Sequence, residues 1–277
     1  MLNFIVNQER CTQCGLCVKD CPVLIIDGKT EYPEIKSGKE QNCLKCQHCL
    51  AICPSAAISI LGKQPENSIP TFKPNPESVD LGKLIQTRRS VRRFKEENIQ
   101  SELIDELIVT ASHAPTAKNE NAVQFTVVDS MEDMAILSKA TYSHIKESVE
   151  KNKLPESLAY LANFAKVWEA KGLNIIFRNA PHLLIFSAPK DNTQPIVDSC
   201  IAASYFELLA NSHGIATLWN GFAKSAFEGT PSDLKIKLGI PKDHIIAAVL
   251  SFGKPAVKYA RSVQNDNPSI KKIKLNS

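Results

Sequence analysis

Apolar positions along the chain fall into two regimes. In the longer one, SELIDELIVTASHA (101–114) puts Leu103, Ile104, Leu107, Ile108 and Ala111 on one helical face, with Ser101 as a plausible N-cap. VQFTVVDS (123–130) alternates as a strand, and 131–152 has a helical pattern. PESLAYLANFAKVWEAKG (155–172) spaces Tyr160, Phe164 and Trp168 four residues apart, on one helical face. PHLLIFSA (181–188), IATLWNG (215–221) and HIIAAVLSFG (244–253) read as buried strands. Between them PIVDSCIAASYFELLANSHG (195–214) is a long helix, apolar on most faces, which predicts burial by a partner subunit as well as by its own sheet. Strands and helices alternate irregularly, so the larger part is expected to be a mixed-sheet α+β layer structure rather than a regular βαβ series.

The first 62 residues behave differently, with only short apolar runs such as VLIID and AAISIL. Between the regimes, GKQPENSIPTFKPNPESVD carries Pro65, Pro70, Pro74 and Pro76 and little apolar content. Prolines at that density disfavour helix and stiffen the backbone. The expected organisation is a small domain over 1–62, a linker over 63–80 and a larger domain over 81–277, in keeping with 277 residues exceeding one typical domain.

Each short apolar run follows a cysteine motif. Cys11, Cys14, Cys17, Cys21 and Pro22 recur as Cys43, Cys46, Cys49, Cys53 and Pro54, every position displaced by 32 residues. The repeat predicts two related halves that pack on each other. The ninth cysteine, Cys200, stands apart in the apolar helix and reads as a small buried hydrophobe.

Composition narrows the class: 43% hydrophobic and 22% charged residues describe an ordinary globular protein. The formal charge of +4 lies entirely beyond residue 62, because residues 1–62 hold six basic and six acidic side chains. With no long Lys/Arg run interleaved with aromatics, nucleic acid is not an expected partner. No run approaches the roughly 20 apolar residues of a membrane helix. The start, MLNFIVNQERC, lacks a basic n-region, and eight cysteines crowd one corner of the chain; a reducing, cytoplasmic location is expected.

Iron–sulfur clusters need several thiolates converging on one small cube, and C-x2-C-x2-C lets one loop supply three of them. In the bacterial run C-x2-C-x2-C-x3-C-P the fourth cysteine serves the other cluster. That pairs Cys11, Cys14, Cys17 and Cys53 around one cluster and Cys43, Cys46, Cys49 and Cys21 around a second. Zinc sites instead use two C-x2-C pairs or mix in histidine, and His48, between two cysteines, reads as a neighbour of the cluster or an exposed residue. The doubled motif resembles the bacterial two-[4Fe-4S] ferredoxins over residues 1–62.

A second constellation lies in TRRSVRRF (87–94), where Arg88, Arg89, Ser90 and Arg92 supply fork-shaped donors and a hydroxyl suited to an anion, or else form a solvated basic patch. APTAKNENAVQF (114–125), HGIATLWNG and VLSFGKP (249–255) follow in order. Together these segments resemble the FMN-dependent nitroreductase family over about residues 81–261. The resemblance implies that Arg88, Ser90 and Arg92, with Arg89 a weaker candidate, hold the FMN phosphate, ribityl chain or pyrimidine edge. It implies that Asn119 bonds the isoalloxazine and that the Gly221 N–H approaches flavin N5. Three positions depart from the pattern: Asn121, Ala122 and Val123 stand where the family has Gln, Pro and an aromatic or Val. The usual C-terminal basic pair is also missing, with Lys258 and Arg261 as substitutes. The resemblance further implies a homodimer with FMN at the subunit interface; Tyr160, Phe164 and Trp168 read as core on their spacing, while the resemblance puts them in the region of the helices over the flavin's open face.

The combined expectation is a flavin-dependent oxidoreductase that takes single electrons through two [4Fe-4S] clusters to FMN and passes a pair to a small planar acceptor, a nitroaromatic or quinone. A low-potential donor protein or NAD(P)H would be the source, although no G-x-G-x-x-G fingerprint is present. The alternatives are an electron-transfer subunit serving a protein partner, and an enzyme reducing an enone or a carbon–halogen bond. No side-chain triad suggests itself, as expected where a cofactor carries the chemistry.

Overall fold

The 32-residue displacement of the cysteine motif is also a displacement of backbone conformation. Gln13, Gly15 and Leu24 have positive φ, and so do Lys45, Gln47 and Ala56, each 32 residues on. The two copies therefore trace the same loop twice, with glycine at only one of the six left-handed positions. The computed structural model describes residues 2–69, 78–229, 233–264 and 268–275. The chain divides into two units, Met1–Asn75 with Thr116–Glu120, and Pro76–Pro115 with Asn121–Ser277.

In the first unit, strands β1 (Ile5–Val6), β2 (Ile26–Asp27), β3 (Glu34–Ile35) and β4 (Ile58–Ser59) form two antiparallel ladders, β1 with β4 and β2 with β3. Helices α1 (Leu16–Asp20) and α2 (His48–Ala51) follow the two left-handed turns. β2 and β4 again lie 32 residues apart. The VLIID and AAISIL runs supply Ile25, Ile26, Ile58 and Ile60, all buried, and these pack with Cys17, Cys21, Cys49 and Leu50. A domain this small has little apolar area to bury, so cysteine chemistry in its middle is a natural staple.

Of the linker prolines, Pro65 opens a short 3-10 turn, Pro65–Asn67, while Pro70, Pro74 and Pro76 lie outside the described residues. Helix α3 runs from Ser78 to Thr87, so it begins within the last three residues of the expected linker and continues into the larger domain. The second unit is an α+β layer structure. Its sheet has the order β5–β6–β8–β7, all antiparallel, from β5 (Gln124–Val128), β6 (His182–Pro189), β7 (Ala216–Trp219) and β8 (His244–Gly253).

The two central strands read as unbroken apolar runs because both of their faces are covered. Leu183 and Ile185 of β6 join one core, with α5 (Met131–Glu150), α6 (Tyr160–Lys171) and α8 (Gly221–Gly229). Leu184 and Phe186 face the other, with α4 (Ser101–Ala111) and α7 (Pro195–Ser212). A register shift between Phe186 and Ser187 leaves Ala247 without an opposite residue, so Ile246 joins the first core while Ala248, Leu250 and Phe252 join the second.

One expectation is corrected and another is met only in part. Gln100 occupies the N-cap of α4 without a side-chain cap bond, and the Ser101 hydroxyl donates instead to Asp129 at 2.9 Å, a carboxylate being the stronger acceptor. The Tyr160, Phe164 and Trp168 stripe divides between two environments: Trp168 stacks on Tyr142, with centroids 4.6 Å apart and planes within 5°, in the first core. Tyr142 is held there by its hydroxyl, which donates to Asn174 and accepts from the Ile176 N–H. Among the described residues no helix is long and apolar enough to cross a membrane.

Candidate functional site

The cysteine repeat brings its sulfurs together in two groups. Cys11, Cys14, Cys17 and Cys53 line one cavity of about 240 Å³, and Cys21, Cys43, Cys46 and Cys49 line another. Among the described residues no three Cys, His, Asp or Glu side chains converge on one ion. Four cysteines lining one cavity are the ligand set that a [4Fe-4S] cluster needs, and the second cavity, at about 20 Å³, is much tighter than the first. The donor set fits: backbone N–H groups already face the sulfurs, Ala57 to Cys53 at 3.2 Å and Lys45 to Cys43 at 3.4 Å. Burial pushes the Cys49 thiol up to about 11 and raises that of Cys17, so iron must displace tightly held protons there. His48 faces Asp20 at 3.4 Å.

The arginine segment is built into the second unit by β7. Ser90 bridges Thr217 in parallel, and the Val91 N–H donates to the Thr217 carbonyl at 3.0 Å, so TRRSVRR runs beside β7. Arg88 donates from Nη1 to Glu207 on α7 at 3.2 Å. Thr217 donates to the same carboxylate oxygen at 3.0 Å, and Asn211 approaches the Thr217 hydroxyl at 3.4 Å. One edge of the Arg88 fork is thus committed, and the guanidinium has further donors to offer an anion. Arg89 folds back on the carbonyl of Arg88 at 2.6 Å, and Arg92 on that of Ser90 at 3.3 Å.

Gly221 stands where β7 leaves the sheet and α8 starts. Asn220 caps that helix: its Oδ1 accepts from the Ala223 N–H at 2.9 Å, and its Nδ2 donates to the Ile176 carbonyl and the Ser251 hydroxyl. The N–H groups of Gly221 and Phe222 belong to the first turn, where helices have no intrahelical acceptor to offer. A Cβ placed on Gly221 would meet no atom within 4 Å. Open space above first-turn N–H groups fits a flat acceptor-bearing group such as a flavin.

Phe222 leads to an aromatic group that the sequence pattern did not single out. Its ring lies 4.9 Å from that of Phe164 and 5.7 Å from that of Tyr160, and Tyr160 and Phe222 are each more than a third exposed. Glu207 and Thr217 were missed as well; the one signal for Glu207 was its place as one of two carboxylates, with Asp198, in a largely apolar helix.

Asn119 groups with the first unit, where its amide donates to the carbonyl of Leu44, between Cys43 and Cys46, at 3.1 Å. Lys258 and Arg261 are exposed on the irregular stretch after β8. Cys200 is half-buried in α7, with its thiol raised by burial.

Comparison with known families is decisive at this point, because the nitroreductase family model matches residues 85–254. The chain belongs to the nitroreductase family. A 4Fe-4S dicluster domain model matches residues 3–62 of this nitroreductase-family chain. A relative from Archaeoglobus fulgidus, provisionally named NADH dehydrogenase/NAD(P)H nitroreductase, is 28% identical over 178 residues, covering 62% of this chain and 84% of the relative. One of the same name from Methanothermobacter thermautotrophicus is 25% identical over 182 residues, 64% of this chain and 78% of the relative. The second unit shares its fold with an FMN-bound nitroreductase structure from Bacteroides fragilis, at TM-score 0.57 and 19% identity over 72% of this chain and all of that one. The FMN-bound nitroreductase of Desulfitobacterium hafniense gives 0.54 and 22% over 69% and 98%. This nitroreductase-family chain is therefore an oxidoreductase with a 4Fe-4S domain of its own.

Proposed function

We propose that the protein binds two [4Fe-4S] clusters and FMN, carries single electrons from the clusters to the flavin, and delivers them in pairs to a small planar acceptor such as a nitroaromatic or a quinone. The observation that carries this reading is that each set of four cysteines read from the repeat lines its own cavity. FMN, when bound, supplies an acceptor able to take one electron or two, whereas a cluster passes one at a time. The chain's own residues would do the rest. Arg88, braced by Glu207, and the Ser90 segment beside β7 would hold the anionic end; Arg92, Lys258 and Arg261 are further cations for it. The Gly221 N–H would face the ring, and Tyr160 and Phe222 would offer faces on which a planar acceptor stacks. Asn119, which the resemblance puts at the ring, donates within the first unit to the carbonyl of Leu44, between Cys43 and Cys46.

The partner for turnover would be a low-potential one-electron donor protein or NAD(P)H, in a reducing compartment such as the cytoplasm. A second copy of the chain would cover the apolar groove of about 610 Å³ lined by Leu81, Leu84, Tyr205, Leu208 and Leu209. The working form would then be a homodimer, which sedimentation at micromolar concentration tests.

Anaerobic reconstitution with iron, sulfide and FMN, followed by stopped-flow mixing with a reduced viologen, tests the electron route. The full chain should reduce its flavin at least tenfold faster than a Cys43→Ser/Cys46→Ser variant. Equal rates would overturn the route. Turnover with a protein acceptor and none with nitroaromatics or quinones would make the chain an electron-transfer subunit instead.

A further inference from the structure

The internal repeat makes the two cysteine sets nearly equivalent, so a departure from the repeat beside a cysteine marks a difference in function. The clearest departure follows the two Cys-Pro steps. Position 55 is serine, and its counterpart 32 residues earlier, position 23, is valine. The Ser55 hydroxyl lies 3.7 Å from Cys53 Sγ, and Ser55 lines the cavity formed by Cys11, Cys14, Cys17 and Cys53. Val23 takes the matching place in the other cavity, beside Cys21. The Cys53 sulfur thus faces two donors, the Ala57 N–H at 3.2 Å and the Ser55 hydroxyl, whereas the Val23 side chain has no donor to give Cys21.

A thiolate bound to iron carries no proton, so in that contact the hydroxyl can only donate. Uptake of one electron by a cluster adds one negative charge, spread partly onto its sulfurs. No proton moves and no bond breaks. A donor aimed at a ligand sulfur strengthens as that charge grows, and so favours the reduced state. We infer that Ser55 is a tuning residue that raises the reduction potential of the cluster held by Cys11, Cys14, Cys17 and Cys53, and so separates two clusters that the repeat alone would leave alike. The surroundings differ as well: that cavity also presents Thr12 and Thr30 and includes the exposed Cys14, with Glu31 as the one opposing charge, while the other is walled mainly by Val23, Ile25, Ile26, Ile35 and Ile60, with Gln47 and His48 as its polar side chains. This inference rests on the two-cluster reading above.

The test is a potentiometric titration of the full reconstituted chain, with viologen mediators as the one-electron source, followed by the electron paramagnetic resonance of the reduced clusters. Ser55→Val should shift the reduction equilibrium of one cluster three- to tenfold toward the oxidised form, roughly 30–60 mV downward at 59 mV per tenfold for one electron. The other cluster should stay in place. Ser55→Thr keeps the hydroxyl and should keep the potential. Val23→Ser, which installs the hydroxyl in the other copy, should raise the other cluster by a similar factor. If Ser55→Val disturbs loading, Ser55→Ala, which adds no branch, gives the same reading. Unchanged potentials in fully loaded Ser55→Val or Ser55→Ala protein would overturn the inference. Substitutions at 55 and 23 that move the same cluster would instead show that the cysteine pairing is wrong, and a chain that takes up only one cluster would remove the reading beneath it.

Discussion

Arg88 and Glu207 are 119 positions apart in the chain, and Arg88 Nη1 meets Glu207 Oε1 at 3.2 Å. The carboxylate side chain is only 9% exposed and that of the arginine 26%. Removing one member of a buried pair is costly because it strands the other without water. The two members are not equally buried, so the two deletions should not cost the same. Arg88→Ala leaves Glu207 with the Thr217 hydroxyl alone and should destabilise the second unit by about 2–3 kcal/mol. Glu207→Gln leaves an arginine that can turn to water and should cost about 1 kcal/mol. Denaturant titration followed by tryptophan fluorescence measures this directly, since both tryptophans, Trp168 and Trp219, belong to that unit. Equal costs would mean that the pair is solvated in solution.

Gly221 separates flavin binding from folding more cleanly. An added Cβ meets no protein atom, and the residue opens a helix, so Gly221→Ala should leave stability unchanged or raise it by up to about 1 kcal/mol. The same methyl occupies the space in which the flavin ring would approach the backbone. FMN affinity, measured by flavin fluorescence on the cluster-loaded protein, should fall at least tenfold. An unaltered affinity would place the flavin elsewhere.

The aromatic stripe should divide in the same way. Trp168 is stacked in the core, so Trp168→Ala should cost about 2–4 kcal/mol. Tyr160 is 38% exposed and touches Phe164 and Phe222 only with its ring, so Tyr160→Ala should cost under about 1 kcal/mol. Paired with Phe222→Ala, it should lower kcat/KM for a planar nitroaromatic about tenfold while leaving flavin reduction by viologen unchanged. Slower flavin reduction would argue for a structural role.

How far these features could be read from the sequence depends on the range of the interaction behind each. The cysteine sets were legible because one short loop supplies three sulfurs and the repeat is in register. β6 and β8 were legible because unbroken apolar runs bounded by polar residues leave few alternatives to a buried strand. Periodicity also placed Tyr160, Phe164 and Trp168 on one face, but a helical period does not say what that face meets. It meets Tyr142 at one end and Phe222 at the other. The Glu207 brace could not be read at all, since it depends on β7 lying between α7 and the arginine segment. The motif marks Asn119 by its place in the chain, while its hydrogen bond to Leu44 depends on tertiary packing of the loop.

His182 yields a prediction that involves no cofactor. It is fully buried at the start of β6, accepts the Ile99 N–H through Nε2 at 2.8 Å and stacks on Phe252. Because Nε2 is the acceptor, the ring is neutral with its proton on Nδ1. Burial lowers its pKa from 6.5 to about 4, outweighing the pull of Asp129. The unfolded chain therefore binds a proton at this residue over a range of pH in which the folded chain does not. The contribution is intact above pH 6.5 and is lost as pH falls toward 4, amounting to as much as about 3 kcal/mol. His182→Gln can offer an amide oxygen to the Ile99 N–H without titrating. It should be less stable than the parent near neutrality, and the gap should close as the pH is lowered from 6.5 to 4, when both are unfolded in urea under the same cluster loading. A gap that stays constant over that range would mean that His182 ionises in the folded protein as readily as in water.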